Sequence, residues 1–281
     1  MALPRLARPC VVLTILLLTV SACAPALPEP SGDDARPLTA ALVYANRAQE
    51  LGAQASGTLA EECMKAAGFD YRTPPHQSNP EPVVAIPFAG IVTLEENSEP
   101  GAPPAGPTMS SAELEALLGG NELQEVIIDG VSTGSYPTDG CLAHAAITLA
   151  GSLDAYKAER VLVRRLYLGL NEASRAASQA PAVVTATGAW SQCMTGKGFS
   201  YGGPQDVADA RPDGVSLRSW PDAVADAECK DSTGFLATAE AAMGAAERAY
   251  AAEHPGLVTE WRALMDTRYE RVRAVLDGSL R

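Results

Sequence analysis

Cys63-Met64-Lys65-Ala66-Ala67-Gly68-Phe69-Asp70-Tyr71 returns later in the chain as Cys193-Met194-Thr195-Gly196-Lys197-Gly198-Phe199-Ser200-Tyr201, with Cys, Met, Gly, Phe and Tyr in register. The chain holds only 6 Cys, 6 Met, 4 Phe and 8 Tyr among 281 residues. Five matches in nine positions, four of them of these scarce types, therefore mark a repeated unit. The motif has a physical reading. Each glycine is placed just past a helix end, where φ is positive and the absent Cβ removes the penalty. Met64 and Met194 then fall on the last turn, and Phe69 and Phe199 fold back onto them, the apolar contact of a Schellman stop. Methionine sulfur against an aromatic ring suits that contact. The motif predicts a stapled helix end, repeated by duplication of a helix–loop–helix unit.

Cysteine usage extends this reading. Cys10 lies in a leader and Cys23 has its own role, described below. Cys63, Cys141, Cys193 and Cys229 remain, an even number that reads as two disulfides in an exported chain. Duplication favours Cys63–Cys141 with Cys193–Cys229; the rival is cross-unit pairing, Cys63–Cys193 with Cys141–Cys229. The favoured loops, about 79 and 37 residues, give roughly 4–4.5 and 3.5–4 kcal/mol in the chain-entropy picture. A zinc site would need closely spaced Cys or His. Only His144 lies near a cysteine, so neither metal nor cofactor is expected.

The first residues decide the compartment. Arg5 and Arg8 precede a short apolar run, Val11 to Val20, laid out as a signal peptide and too short for a comfortable membrane span. The run ends Val20-Ser21-Ala22-Cys23, which resembles a bacterial lipobox. The resemblance implies cleavage after Ala22, a diacylglyceryl group on the Cys23 thiol and acylation, as by palmitate, of the new amine. The alternative is an ordinary secretory peptide cut after Ala22 or Ala24. Loss of residues 1–22 removes two arginines and no acid, moving the formal charge from −13 to −15. So anionic a chain is a poor partner for nucleic acid and is repelled by anionic lipid. Acyl chains, not a basic patch, must hold it at the membrane. Ala24 to Pro37 (APALPEPSGDDARP) is proline-rich and aperiodic, a tether reaching at most ~50 Å.

With 47% hydrophobic and 20% charged residues the remainder is globular in composition, and its alanine content favours helix. Thr39 is the expected cap of a helix through Ala67, with Ala41, Ala45, Ala48, Gly52, Ala55, Leu59 and Cys63 on one stripe. Val83 to Leu94 reads as a strand or hairpin and Pro100 to Pro107 as a loop. Ser110 with Glu113 reads as a capping box for a helix to Leu118, and Glu125 to Ile128 as a strand. Helix resumes after Gly140, breaks at Gly151-Ser152, and starts again at Pro181. A loop covers Gly202 to Arg218, after which Ser219 and Asp222 cap the helix carrying Cys229. Leu236, Ala239, Met243, Ala246 and Tyr250 form a stripe stopped near His254-Pro255-Gly256, and a last helix carries Leu257, Trp261, Leu264 and Val275. The expected fold is mainly all-α, a disulfide-stapled helical bundle with an irregular, slightly β insertion near 72–138. The expected organisation is signal peptide 1–22, lipidated cysteine and tether 23–37, first helical unit 38–180 and second helical unit 181–281.

Candidate chemistry is thin. Gly130-Val-Ser132-Thr-Gly134 matches the GxSxG hydrolase pattern, which needs a helix directly after the serine; Ser135-Tyr136-Pro137 argues against one. His76, His144 and His254 are candidate bases outside any constellation, and His254 reads as a helix-end residue favourable to the dipole. Tyr71, Tyr201, Trp190, Trp220 and Trp261 read as core anchors before they read as groove residues. The pairs Asp33-Asp34, Glu61-Glu62 and Glu95-Glu96 lack the ligand order of a calcium loop. The lipobox, the doubled motif, Asp139-Gly140-Cys141 and Trp190-Ser191-Gln192-Cys193 together resemble secreted or lipid-anchored helical proteins of actinobacteria. That resemblance implies location and architecture but no activity. The expectation is an extracytoplasmic lipoprotein on the cell membrane that binds a wall polymer, peptide or partner protein. An envelope serine hydrolase using Ser132, and a helical scaffold in an envelope assembly, are the alternatives.

Overall fold

The computed structural model describes residues 35–74, 86–94, 109–120 and 122–280. Helix α1 (Pro37–Ala66) starts on a proline, whose fixed φ and missing N–H suit a first helical position. Thr39 is not its cap. Arg36 holds the cap position, and the free amides of the first turn are satisfied from elsewhere in the fold. The Glu247 carboxylate accepts from the Leu38 and Thr39 amides at 3.0 Å each, from the Thr39 hydroxyl at 2.7 Å and from Arg36 Nε at 2.9 Å. Glu247 is fully buried, and an anion at a helix N-terminus meets both the exposed donors and the dipole.

The far end of α1 is the expected stop. Gly68 has φ +89°, its amide donates to the Lys65 carbonyl at 3.0 Å, and the Phe69 amide donates to the Met64 carbonyl at 2.9 Å. Ala41, Gly52, Ala55 and Leu59 of the small-residue stripe are buried; the side chains of Ala45 and Ala48 lie outside the described ones.

Within the insertion, the part of Val83–Leu94 that is described forms no strand. It is an irregular strap with one 3₁₀ turn, Pro87–Ala89. Pro100–Pro107 lies outside the described residues. Helix α2 (Ser111–Leu118) carries the expected capping box, Ser110 Oγ accepting from Glu113 N while Glu113 accepts from Ser110 N. The β structure sits later than expected, in the antiparallel pair β1 (Leu123–Ile128) and β2 (Val131–Pro137). Asp129 and Gly130 join them with φ values of +50° and +80°, the positive pair of a type I′ turn whose twist matches the strands. Val126, Ile128 and Tyr136 face inward, and Tyr136 meets Tyr156 edge-on at 5.1 Å.

Helix α3 (Gly140–Ala150) and α4 (Leu153–Ser178) are separated at Gly151-Ser152, with the Ser152 hydroxyl capping α4. Helix α5 (Pro181–Gly196) ends on the second stop. The expected 202–218 loop contains a short helix, α6 (Pro204–Asp209). Helix α7 (Pro221–Thr233) opens on Pro221 with Trp220 at the cap position, so Ser219 and Asp222 do not cap it; the Asp222 carboxylate instead accepts the Tyr201 hydroxyl. Helices α8 (Phe235–Glu253) and α9 (Leu257–Leu276) follow.

The described helices make one body. Helix α9 lies on α1 and α3, and α8 lies on α4, so the halves 38–180 and 181–281 interlock. Trp190, Trp220 and Trp261 are buried as anchors, and Trp261 Nε1 donates to the Ala41 carbonyl at 2.9 Å. Both disulfides join within a unit, Cys63–Cys141 and Cys193–Cys229, with Cα separations of 5.5 and 5.7 Å.

Candidate functional site

The hairpin brings residues of the insertion over the helices at one place. A cleft of about 570 Å³ opens between the hairpin turn, the middle of α4 and the α8–α9 corner. Its floor includes Leu162 and Leu257, members of the same buried cluster as Leu38 and Trp261. The corner exists because His254-Pro255-Gly256 cannot continue α8: His254 takes non-helical angles and Gly256 has φ +95°. Tyr250 and His254, one turn apart, stack with ring centres 4.1 Å apart. The Tyr250 ring is seated against Gly169 of α4, where an added Cβ would lie 2.4 Å from a ring carbon. Glycine is therefore required at 169 for α4 and α8 to approach.

Charge at the cleft is mostly negative. Asp129, Glu172, Glu253 and Glu260 face Arg165 and His254. Burial raises the Tyr250 phenol above its usual range, Glu172, Asp129 and Glu253 add to this, and Arg165 opposes it. Tyr250 stays a neutral hydrogen-bonding group at physiological pH. The apolar floor and the excess of carboxylates over cations at the rim suit a compact ligand with an apolar body and a cationic end.

A second polar group is buried deeper. Trp190 Nε1 donates to Asp226 at 2.9 Å, the Lys230 ammonium donates to Asp226 at 2.6 Å, and Lys230 also donates to the Ile91 carbonyl at 2.6 Å. Asp226 and Lys230 are essentially fully buried. Burial pushes the Asp226 carboxyl up and the Lys230 ammonium down, while their mutual contact pulls each back toward the charged form.

The remaining candidates are dispersed. Ser132 is exposed on β2 opposite Ile127, and the strand continues to Pro137. No helix follows the serine, so GxSxG here is the far side of a hairpin turn and not a nucleophile elbow. His144 is exposed on α3, His254 is the α8 C-cap, and His76 lies outside the described residues. Glu61 accepts from the Thr73 amide at 2.9 Å, a backbone tie after the first stop; Asp33-Asp34 and Glu95-Glu96 lie outside the described residues, as does Cys23. Among the described residues no group of three His, Cys, Asp or Glu is placed to hold a metal ion, and no helix is long and apolar enough to cross a membrane.

Sequence reasoning missed three features. Asp129-Gly130 between β-branched residues was a legible hairpin signal. Asp226 and Lys230 were a legible i,i+4 pair, but nothing in their spacing marks them as buried. Glu247 carried no local signal, because the helix it caps begins far away in the chain.

No family model, no curated protein and no solved structure matches this chain.

Proposed function

We propose that the chain is a membrane-anchored binding module on the outer face of the cytoplasmic membrane, held by lipid on Cys23 and taking its ligand in the cleft beside Tyr250 and His254. One observation carries the placement: the basic leader and short apolar run end in Val20-Ser21-Ala22-Cys23. Two disulfides within the folded part agree with it, because such bonds persist in oxidising compartments. The fold supports a tethered geometry. Arg36 is held by Glu247 and the Ala35 carbonyl accepts from Arg248 at 2.7 Å, so the chain leaving toward Cys23 is fastened where the body begins. A wall polymer, a peptide or a protein partner that presents a compact group with an apolar body and a cationic end is the ligand this reading favours, supported by the cleft's apolar floor and anionic rim.

Fractionation of the native host tests the placement. In membranes of cells fed labelled palmitate, the wild-type chain carries the label and Cys23→Ala does not. Label on both or on neither would refute lipid anchoring at that residue.

A further inference from the structure

Aspartate is followed by glycine four times, at 129–130, 139–140, 213–214 and 277–278. Such a pair carries a reaction of its own. The glycine nitrogen attacks the aspartate Cγ, and no Cβ on the glycine obstructs the approach. An N–Cγ bond closes a succinimide ring, the Cγ–OH bond breaks, and the amide proton leaves with that hydroxyl as water. Water then adds back at either ring carbonyl. Addition at Cγ restores aspartate; addition at the main-chain carbonyl gives isoaspartate, whose side-chain carbon now lies in the backbone. Composition is unchanged, and no oxidant, cofactor or enzyme is needed.

The fold decides which pairs react, since the carboxyl must be free of partners, the amide free of acceptors and the turn free to swing. Asp139 is held: its carboxylate accepts from the Gly120 amide at 3.1 and 3.2 Å, and a Cβ on Gly140 would lie 2.3 Å from the Gly119 nitrogen. Asp277 is held too, accepting from the Ser279 amide at 2.9 Å while the Gly278 amide donates to the Val275 carbonyl at 3.1 Å. Asp129 and Asp213 are exposed. Among the described residues neither carboxylate has a hydrogen bond or ion pair, and neither following amide has an acceptor. Of these two only Asp129 has positive φ, +50°, and among the described residues no other non-glycine does. A left-handed aspartate is strained, so leaving the turn conformation, as ring closure requires, costs less there.

We propose that Asp129-Gly130 is a self-modification site, at which the hairpin turn converts to isoaspartate faster than any other Asp-Gly pair of the chain. The product breaks the spacing of a two-residue hairpin turn, because one more carbon enters its backbone. It also relocates a carboxylate on the rim of the cleft. The reaction is intrinsic to the chain and stands apart from the lipid anchor and from the ligand of that cleft.

The test ages the full chain in detergent, both disulfides intact, for weeks in heavy-oxygen water at near-neutral pH. Peptide mapping with electron-transfer fragmentation then scores isoaspartate and heavy oxygen at each pair. Every ring opening leaves one solvent oxygen in the product, so the label counts passages through the succinimide. Labelled isoaspartate builds up at 129 at least about fivefold faster than at 139 or 277, which must open first, and faster than at 213. The same chain, reduced and held in urea, loses that ranking. A rate at 129 equal to or below the rate at 139, 277 or 213 overturns the proposal. The same ranking in urea overturns it too, because the preference would then belong to the local sequence and not to the fold.

Discussion

The two helix stops are the same local object in two different settings. At the second, Gly198 has φ +91° against +89° at Gly68, the Phe199 amide donates to the Met194 carbonyl at 2.9 Å, and the Gly198 amide donates to Thr195 at 3.0 Å, matching the first bond for bond. Their surroundings diverge. Met64 packs with Leu117 and Cys141, the methionine of the second stop with Trp190, Val207 and Trp220. Three residues before the first cysteine of each motif stand Ala60 and Trp190. Flanking the partner cysteines, Thr138 and Leu142 occupy the sequence offsets that Asp226 and Lys230 occupy in the second unit. Leu142 is 38% exposed whereas Lys230 is 1% exposed. The stop is therefore portable and encoded in nine residues, while the buried charge belongs to the strap it receives and not to the stop.

Removing each staple tests this contrast at its largest scale. In the chain-entropy picture, replacing Cys63 and Cys141 by alanine costs about 4.5 kcal/mol and replacing Cys193 and Cys229 about 3.8 kcal/mol, following their sequence separations of 78 and 36. Denaturant titration of the two double variants reads the order; a reversed order shows that local packing outweighs loop length. Next in size is the charge. Lys230→Met strands Asp226 in the interior and costs about 3 kcal/mol by the same titration. Leu142→Met, at the matching offset, stays within about 0.5 kcal/mol. Equal effects would erase the distinction between the units.

Smaller still is the glycine. An added Cβ at Gly68 or Gly198 meets nothing within 4 Å, so only backbone strain is charged. Gly68→Ala and Gly198→Ala each cost about 1–2 kcal/mol and agree with one another in thermal unfolding. A clear difference would mean that the stops are not equivalent. The smallest effect is a titration. The hydrogen bond to Asp222, with burial, pushes the Tyr201 phenol up to about 12. Its folded value lies above the ordinary one, so the stability it adds is complete below about pH 10 and is lost as pH rises toward 12. Ultraviolet titration of Asp222→Asn should bring one tyrosine back toward the ordinary range.

What was legible in the sequence was what depends on neighbours in the chain. The stops, the Ser110 box, Pro181 and the break at Gly151-Ser152 are each decided within a few residues, by φ, by a cap or by a missing N–H. Connectivity of the cysteines was legible only because the motif repeats. The start of α1 was not, since its cap comes from Glu247 at the other end of the chain. Apolar, β-branched residues near 86–94 pointed to a strand, but slots among the helices of both units, not a pairing partner, set their conformation; β propensity reports fit to an apolar surface as much as pairing. The cleft was least legible, because it joins a hairpin turn, mid-α4 and a helix corner that are remote in sequence.

The most direct test of the account is intact mass spectrometry of the chain extracted by detergent from its native host's membranes, alkylated without prior reduction. The account predicts a chain beginning at Cys23, heavier by its diacylglyceryl and acyl groups, with no alkylated thiol among Cys63, Cys141, Cys193 and Cys229. A chain with unmodified Cys23, or with those four cysteines alkylated, contradicts it.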